Sequence, residues 1–330
     1  MQTEAIRVLS GDIGGTKTRL AIVTVQGTQV NIEHEVIYLS GDYDQFEILL
    51  GEFMSSVVLS PTRAAFGVAG PVQGRVVQTT NLPWRIDADV LQQQFGFEYC
   101  MLLNDLEATA YGLPALKKND LLVLQEGAAD AIGNVAVIAA GTGLGEAGLF
   151  WDGEDYHPFA TQGGHTSFSP SNTLEFSLLR HLQQQYGHVS WERIVSGMGI
   201  VSLHEFICQY RGVVVPEWLL EEMSLGDEAA AISAAALAGR DELCVQTMQL
   251  FTRLYGAEAG NLALKIMSCG GLYLGGGIAP KILPLLQSGE FLEAFLAKGR
   301  MRHLLEAMPV TVILNDRAAL YGPALYAVKH

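Results

Sequence analysis

Leu9-Ser-Gly-Asp-Ile-Gly-Gly-Thr-Lys-Thr-Arg-Leu-Ala-Ile-Val23 decides the fold: two apolar runs flank a Gly-Gly-Thr turn, and one carboxylate, Asp12, stands at the end of the first run. The pattern predicts strand, turn, strand, with Gly14 and Gly15 able to take the positive φ of a tight hairpin. The backbone N–H groups of such a turn, with the Thr16 hydroxyl, can cradle a phosphate, and Asp12 can hold Mg2+ directly or through water. The motif is moderately specific, and its alternative reading is an ordinary hairpin turn with an acidic flank.

Two better-known phosphate loops are excluded. A P-loop requires Gly immediately before Lys-[Ser/Thr], whereas Lys17-Thr18 follows Thr16. The spacing of a dinucleotide fingerprint occurs at Gly143-Leu-Gly145-Glu-Ala-Gly148. That motif should open a helix, but here it runs into Leu149-Phe-Trp-Asp-Gly153, which reads as a second strand and a turn. Both glycine-rich segments are therefore expected to be hairpins.

The chain has 330 residues, more than one core comfortably serves, and two domains are expected. Hydrophobic residues make up 49% and charged residues 17%, with 36 glycines, a turn-rich α/β composition. A net charge of −15 argues against a nucleic-acid backbone or an anionic membrane as partner. It leaves room for an anionic nucleotide, because local N–H groups and Mg2+ supply positive field. The first residues lack the charged and apolar regions of a signal peptide, and no apolar run has the length of a membrane span, so a cytoplasmic protein is expected. Cys100, Cys208, Cys244 and Cys269 are scattered without a C-x-x-C pair, which predicts reduced, mostly buried thiols and neither a disulfide framework nor a zinc site.

Along the chain, residues 6–40 read as strand, hairpin, strand and a third strand at Val36–Leu39. A helix is expected around Tyr43–Val58, with Phe46, Leu49, Leu50 and Phe53 on its apolar face. Arg63–Ala69 and Tyr99–Leu103 read as short buried strands, separated by a turn at Gln73-Gly74, an Asn81-Leu-Pro-Trp84 loop and a helix over Asp87–Phe95. Leu106–Leu113 is a good helix former. Asn134–Ala140, the turn Gly141-Thr-Gly-Leu-Gly145 and the strand Glu146–Trp151 then repeat the opening unit, with Ala140 in place of Asp12. Thr173–Ala307 is mainly helical apart from Gly270–Gly277, and Ala318–Val328 reads as a helix returning to the first domain.

Asn104-Asp105 lies where a buried strand gives way to a helix, the edge at which open α/β sheets bind ligands. Asp105 reads either as a helix N-cap or as a general base for a substrate hydroxyl, with Asn104 fixing a neighbouring hydroxyl. Gln162-Gly-Gly-His165, between Pro158 and Pro170, is a loop whose glycines can bring His165 close to a small ligand. Glu192 taken alone is an ordinary acidic residue in the first turn of a helix. Gly275-Gly-Gly277 follows a buried strand and could let a flat base approach the backbone.

Together these segments resemble the bacterial-type glucokinases of the hexokinase/actin-like ATPase superfamily, nearly end to end. The resemblance is carried by Gly11–Leu20, Asn81–Trp84, Leu103-Asn-Asp105, Ala140–Gly145, Gly163-Gly-His165, Glu192–Gly197, Ala259–Leu264 and Gly270–Ile278. It implies an α/β fold of two duplicated ribonuclease H-like domains with an interdomain cleft. The smaller would comprise residues 1–110 plus about 316–330, and the larger residues 111–315. It also implies ATP and Mg2+ as cofactors, a hexose substrate and a homodimer. Carried over position by position, Gly11, Asp12, Ile13, Gly14, Gly15 and Thr16 would hold the ATP phosphates, with Mg2+ at Asp12. Gly141, Thr142 and Gly143 would form the second phosphate turn, and Gly275, Gly276 and Gly277 would border the adenosine. Asn81, Asn104, Asp105, Gln162, His165 and Glu192 would face the sugar, with Asp105 as base on its 6-hydroxyl.

One position departs from the family pattern: Gln162 stands where the family has a Glu before Gly-Gly-His. An amide keeps one acceptor, gains two donors and loses the charge. Since charge-assisted bonds contribute roughly 1.5–3 kcal/mol against about 1 for neutral ones, a weaker glucose site or another preferred hexose is the alternative expectation. A non-catalytic sugar sensor on the same fold is a further one, opposed by the intact Asp12 and Asp105. The cysteine cluster of the related repressor-kinase branch is missing, and no helix-turn-helix precedes the first strand in this sequence, so the plainer kinase branch is expected.

Overall fold

The computed structural model of this protein describes residues 4–58, 61–79 and 82–330. The chain divides into two compact units, Met1–Asp120 with Pro158–Ala160 and Asn315–His330, and Leu121–His157 with Thr161–Leu314. The first unit thus runs to Asp120 rather than stopping at residue 110, and takes in the turns that follow its third helix.

The strands of the first unit are β1 (Ile6–Ile13), β2 (Lys17–Gln26), β3 (Gln29–Leu39), β4 (Arg63–Val68), the short β5 (Val72–Gln73), β6 (Val76–Gln78) and β7 (Arg85–Asp87), and β8 (Tyr99–Asn104). The main sheet has the order β3-β2-β1-β4-β8, antiparallel across β1–β2 and β2–β3 and parallel across β1–β4 and β4–β8. Strand β3 begins at Gln29, well before the expected Val36, because its polar residues alternate along an exposed sheet edge where apolar content is no guide. Helix α1 (Phe46–Ser55) buries the anticipated stripe Phe46, Leu49, Leu50 and Phe53 against Phe66 and Trp84. Helix α2 (Ala88–Phe95) starts from an Asp87 side-chain cap and ends at the left-handed Gly96.

Helix α3 (Asp105–Gly112) follows directly from β8. Its placement is fixed by a close approach to the C-terminal helix Ala318–Lys329. A Cβ at Gly112 would meet the Ala318 carbonyl, and one at Gly322 the Ala108 carbonyl. Only glycines allow the two backbones so near.

The second unit repeats the plan. Its strands are β9 (Leu121–Gln125), β10 (Val135–Ala140), β11 (Leu144–Trp151), β12 (Tyr156–Ala160), β13 (Gly271–Gly275) and β14 (Val310–Ile313), in the order β12-β11-β10-β13-β14-β9. The antiparallel hairpin β10–β11 corresponds to β1–β2, and the parallel neighbours β13 and β14 correspond to β4 and β8. The dinucleotide spacing at Gly143–Gly148 therefore lies on a hairpin, as expected. Strands β9, β12 and β14 did not emerge from the periodicity; β14 is only four residues long and too short to show it. Helices α4 (Thr173–Tyr186), α5 (Gly197–Arg211), α6 (Glu217–Ser224), α7 (Glu228–Leu237) and α8 (Glu242–Ile266) cover this sheet, and α8 contributes Phe251, Leu254, Tyr255 and Leu262 to the core.

Candidate active site

In the first unit the β1–β2 turn joins Ile13 to Thr18 through four residues. Gly14 does not take the positive φ expected of it. The turn is held instead by Gly14 N–H donating to the Lys17 carbonyl at 3.0 Å and by Ser40, whose hydroxyl donates to the Gly14 carbonyl at 2.8 Å. Because Ser40, directly after β3, supplies this clamp, the turn does not need a left-handed residue. Gly11 and Ile13 are buried within the sheet, paired with β2 on one side and β4 on the other, with the Ile13 side chain in the core. Thr16 is exposed at the tip.

Asp12 pairs across the hairpin with Arg19. Burial, then the charge of Asp105, pushes the Asp12 carboxyl up to about 6 against the opposing pull of Arg19. Arg19 is fixed by Asp316 at 2.7 Å and by Glu35 at 3.4 Å, and Glu35 also meets Arg317 at 3.0 Å. This network links the turn to the start of the C-terminal helix. The sequence reading missed Arg19 and Asp316; the cross-strand register of the hairpin was the one signal that could have placed Arg19 opposite Asp12.

Asn104 and Asp105 divide the work that the sequence left undecided. Asn104 is the helix cap: its Oδ1 accepts from the N–H groups of Leu106 and Glu107, and its Nδ2 donates to the Gly70 carbonyl at 3.1 Å. The Asn104 side chain also hydrogen-bonds the Asp105 carboxyl. Asp105 is the first residue of α3, so its carboxyl is not the cap. Burial pushes it up to about 6, opposed by the hydrogen bond it accepts from Leu106 N–H.

In the second unit the β10–β11 turn joins Ala140 to Leu144 through three residues. Gly141 N–H donates to the Gly143 carbonyl at 2.9 Å, and the Gly141 carbonyl accepts from Gly197 at the start of α5 at 2.8 Å. Gly276, at φ +80°, packs against the Ala140 carbonyl, which brings the Gly275–Gly277 segment beside this turn. A cavity of about 1150 Å³ opens next to both, lined by Gly141, Thr142 and Gly277 together with Met198, Ser233 and Lys281. Its α5 and α7 walls were not anticipated; helical periodicity reports which face is buried and not what the other face borders.

His165 and Glu192 do come together, with His165 Nδ1 and Glu192 Oε1 3.7 Å apart. Glu192 Oε2 accepts from Leu144 N–H at 3.0 Å, and a side chain at Gly143 would collide with this carboxylate. One acidic residue thus binds the second turn on one side and the Gly-Gly-His loop on the other. Gln162 is exposed, and its side chain caps nothing. Asn81 lies outside the described residues.

No group of three or more His, Cys, Asp or Glu residues among the described residues is arranged to hold a metal ion, all four cysteines are free, and no described helix is long and apolar enough to cross a membrane. The Glucokinase family model matches residues 9–330. The glucokinase of Nostoc punctiforme is 42% identical over 337 aligned positions, covering 98% of this chain and 99% of that one. The crystal structure of glucokinase from an Antarctic psychrotroph superposes with a TM-score of 0.86 at 33% identity, covering 98% and 99%. A ROK family glucokinase from Streptomyces griseus, solved in complex with glucose and AMPPNP, shares the fold at a TM-score of 0.65 and 22% identity, covering 98% and 100%.

Proposed function

The chain belongs to the glucokinase family, and from that premise we propose that it transfers the terminal phosphoryl group of ATP to the 6-hydroxyl of glucose, with Asp105 as the general base. The observation that carries this is the division between Asn104 and Asp105. The amide takes over the helix cap, and the neighbouring carboxyl, although it accepts from Leu106 N–H and the Asn104 side chain, is buried and raised to about 6. A base poised near the working pH is ionised enough to accept a proton and basic enough to want one.

The remaining roles follow from what each group has free. Asn104 would hold a neighbouring sugar hydroxyl through its amide, which also bonds the Asp105 carboxyl. Gln162, His165 and Glu192 offer an amide, an imidazole and a carboxylate to the others. The turn Gly141–Gly143 would offer the N–H groups of Thr142 and Gly143 to phosphate, since Gly141 N–H is taken by the Gly143 carbonyl, and the cavity beside Gly277 suits a purine nucleotide. Gly11 to Thr16 would receive the transferred phosphoryl end, largely through main-chain N–H groups and the Thr16 hydroxyl.

The residues present fit Mg2+. Asp12 lies close enough to the Asp105 and Asp316 charges to be raised by them, and a hard divalent cation relieves such repulsion. A site with a single protein carboxylate suits an ion that keeps several waters and takes phosphate oxygens. When bound there, Mg2+ would supply charge stabilisation to the phosphates. In-line placement and electrostatics account for most of such a reaction, and the protein's own step is to remove the hydroxyl proton at Asp105.

The second reading, a kinase for another hexose, is kept by Gln162 alone. One experiment separates the two: coupled ADP release with ATP–Mg over a panel of hexoses, for the wild type and Asp105→Ala. A glucose preference lost with Asp105 supports the first reading; preference for another hexose supports the second. Turnover of Asp105→Ala near the wild-type rate would remove Asp105 from its role.

A further inference from the structure

We propose that Glu146 and Glu258 form a buried acid pair sharing one proton, and that this proton seats the Thr161–His165 loop, making Glu146 a positioning residue for the sugar. The inference rests on the assignment of that loop to the sugar. Neither acid has a part in the chemistry described above, and their exposures are only 2% and 0%. Glu146 comes from β11 and Glu258 from the middle of α8.

The two carboxyls lie within hydrogen-bonding reach of one another. Two ionised carboxylates are acceptors only and repel, so this contact needs a hydrogen. The surrounding donors show which acid carries it. Glu258 accepts from Asn261 Nδ2 at 2.7 Å and Lys265 Nζ at 3.4 Å. Glu146 Oε1 has no donor from any other described group. The charge therefore rests on Glu258 and the proton on Glu146. Burial, followed by the Glu258 charge, pushes Glu146 up to about 8, with Lys265 opposing.

The other charged group facing the pair is Lys298. Its Nζ donates to the Ala257 carbonyl at 2.8 Å and Asn261 Oδ1 at 2.7 Å. Burial lowers its pKa, while Glu258 and, more weakly, Glu175 of α4 raise it. Lys265 and Lys298 thus both serve the Glu258 side. Neither donates to Glu146.

The other oxygen of Glu146, Oε2, packs against Gly163, where any Cβ would collide with it. The loop is tied to the same residue through its main chain. Thr161 Oγ1 donates to the Glu146 carbonyl at 2.8 Å and accepts from Gly163 N–H at 3.2 Å. The Gly163–His165 turn stands directly on this support. When Glu146 loses its proton, two anions face each other in a dry interior, and the side free to yield is the glycine loop. The loss should appear in sugar binding and not in the chemical step.

The test is glucose KM, kcat and calorimetric glucose Kd from about pH 6.5 to about 9.5, for the wild type, Glu146→Gln and Glu258→Gln. In the wild type, KM and Kd should rise together above pH of about 8, by about tenfold per pH unit as one proton is lost, with kcat within about twofold. Either glutamine replaces the shared hydrogen with an amide donor, so each variant should bind glucose normally at neutral pH and lose the alkaline rise. Because the two replacements are independent, poor folding of one leaves the other decisive. Wild-type turnover with a pH-flat KM, or a rise that persists in both variants, overturns the acid pair alone. A wild type that neither binds glucose nor releases ADP with it overturns the kinase reading as well.

Discussion

The β1–β2 and β10–β11 hairpins occupy equivalent places in equivalent sheets, yet their surroundings are chemically opposite. Around the first, Asp12, Asp105, Arg19, Asp316 and Glu35 gather at one sheet end. Around the second, the turn is glycine, and Glu192 is engaged by the Leu144 N–H. Duplicating a strand–turn–strand unit supplies two similar turns. What separates the two is which side chains the flanking elements deliver: a buried, raised carboxyl beside one turn, a cavity walled by α5 and α7 beside the other. We propose that the first turn governs the rate of reaction and the second governs binding.

The largest effect should come from the first turn. Asp105→Ala should lower kcat by about 10³-fold, within the usual range for a general base, while calorimetric glucose affinity falls only a few-fold. A loss confined to KM would reverse the assignment of roles to the two hairpins. On the second side, Gly143→Ala should displace the Glu192 carboxylate. Losing a charge-assisted bond of roughly 1.5–3 kcal/mol should raise glucose KM by about tenfold to a hundredfold. If kcat fell while KM held, Glu192 would belong to the chemistry.

pH should distinguish the hairpins again. Asp105 accepts a proton only as a carboxylate, and its pKa is raised to about 6. Below that pH it is protonated, so kcat/KM should fall about tenfold per unit of acidification and level off above it. A flat acid profile down to pH of about 5 would mean that neither raised carboxyl of the first unit limits the reaction. The smallest effect is expected at Gln162, an exposed side chain on the binding side. Gln162→Glu should lower glucose KM by about tenfold or less, with kcat unchanged. No change in kcat/KM for any hexose would make Gln162 a tolerated variant.

Much of this arrangement was legible before folding. Alternation and glycine placement marked both hairpins, the apolar stripe of α1 marked its buried face, and the strand-to-helix junction marked Asn104-Asp105. These signals are local, because hydrogen-bond geometry repeats every two or 3.6 residues along the chain. Reading failed where the signal is not local. The Ser40 clamp on Gly14 removes the need for a left-handed glycine, and no pattern within the turn could reveal a residue supplied from just beyond β3. Strand β14 is too short to show a period, and the polar half of β3 hides on a sheet edge.

By itself, the sequence determined that two glycine-turn hairpins recur in an α/β chain, that a carboxylate ends the first and that an Asn-Asp pair opens a helix. Only the tertiary structure decided which of that pair caps the helix, that Arg19 is tied to Asp316 far along the chain, and that Glu146 meets Glu258 beneath the Gly-Gly-His loop. The reason is physical. Local structure is set by each residue's preferences and near neighbours. The burial and mutual repulsion that tune a carboxyl arise only when distant segments exclude water from the space between them.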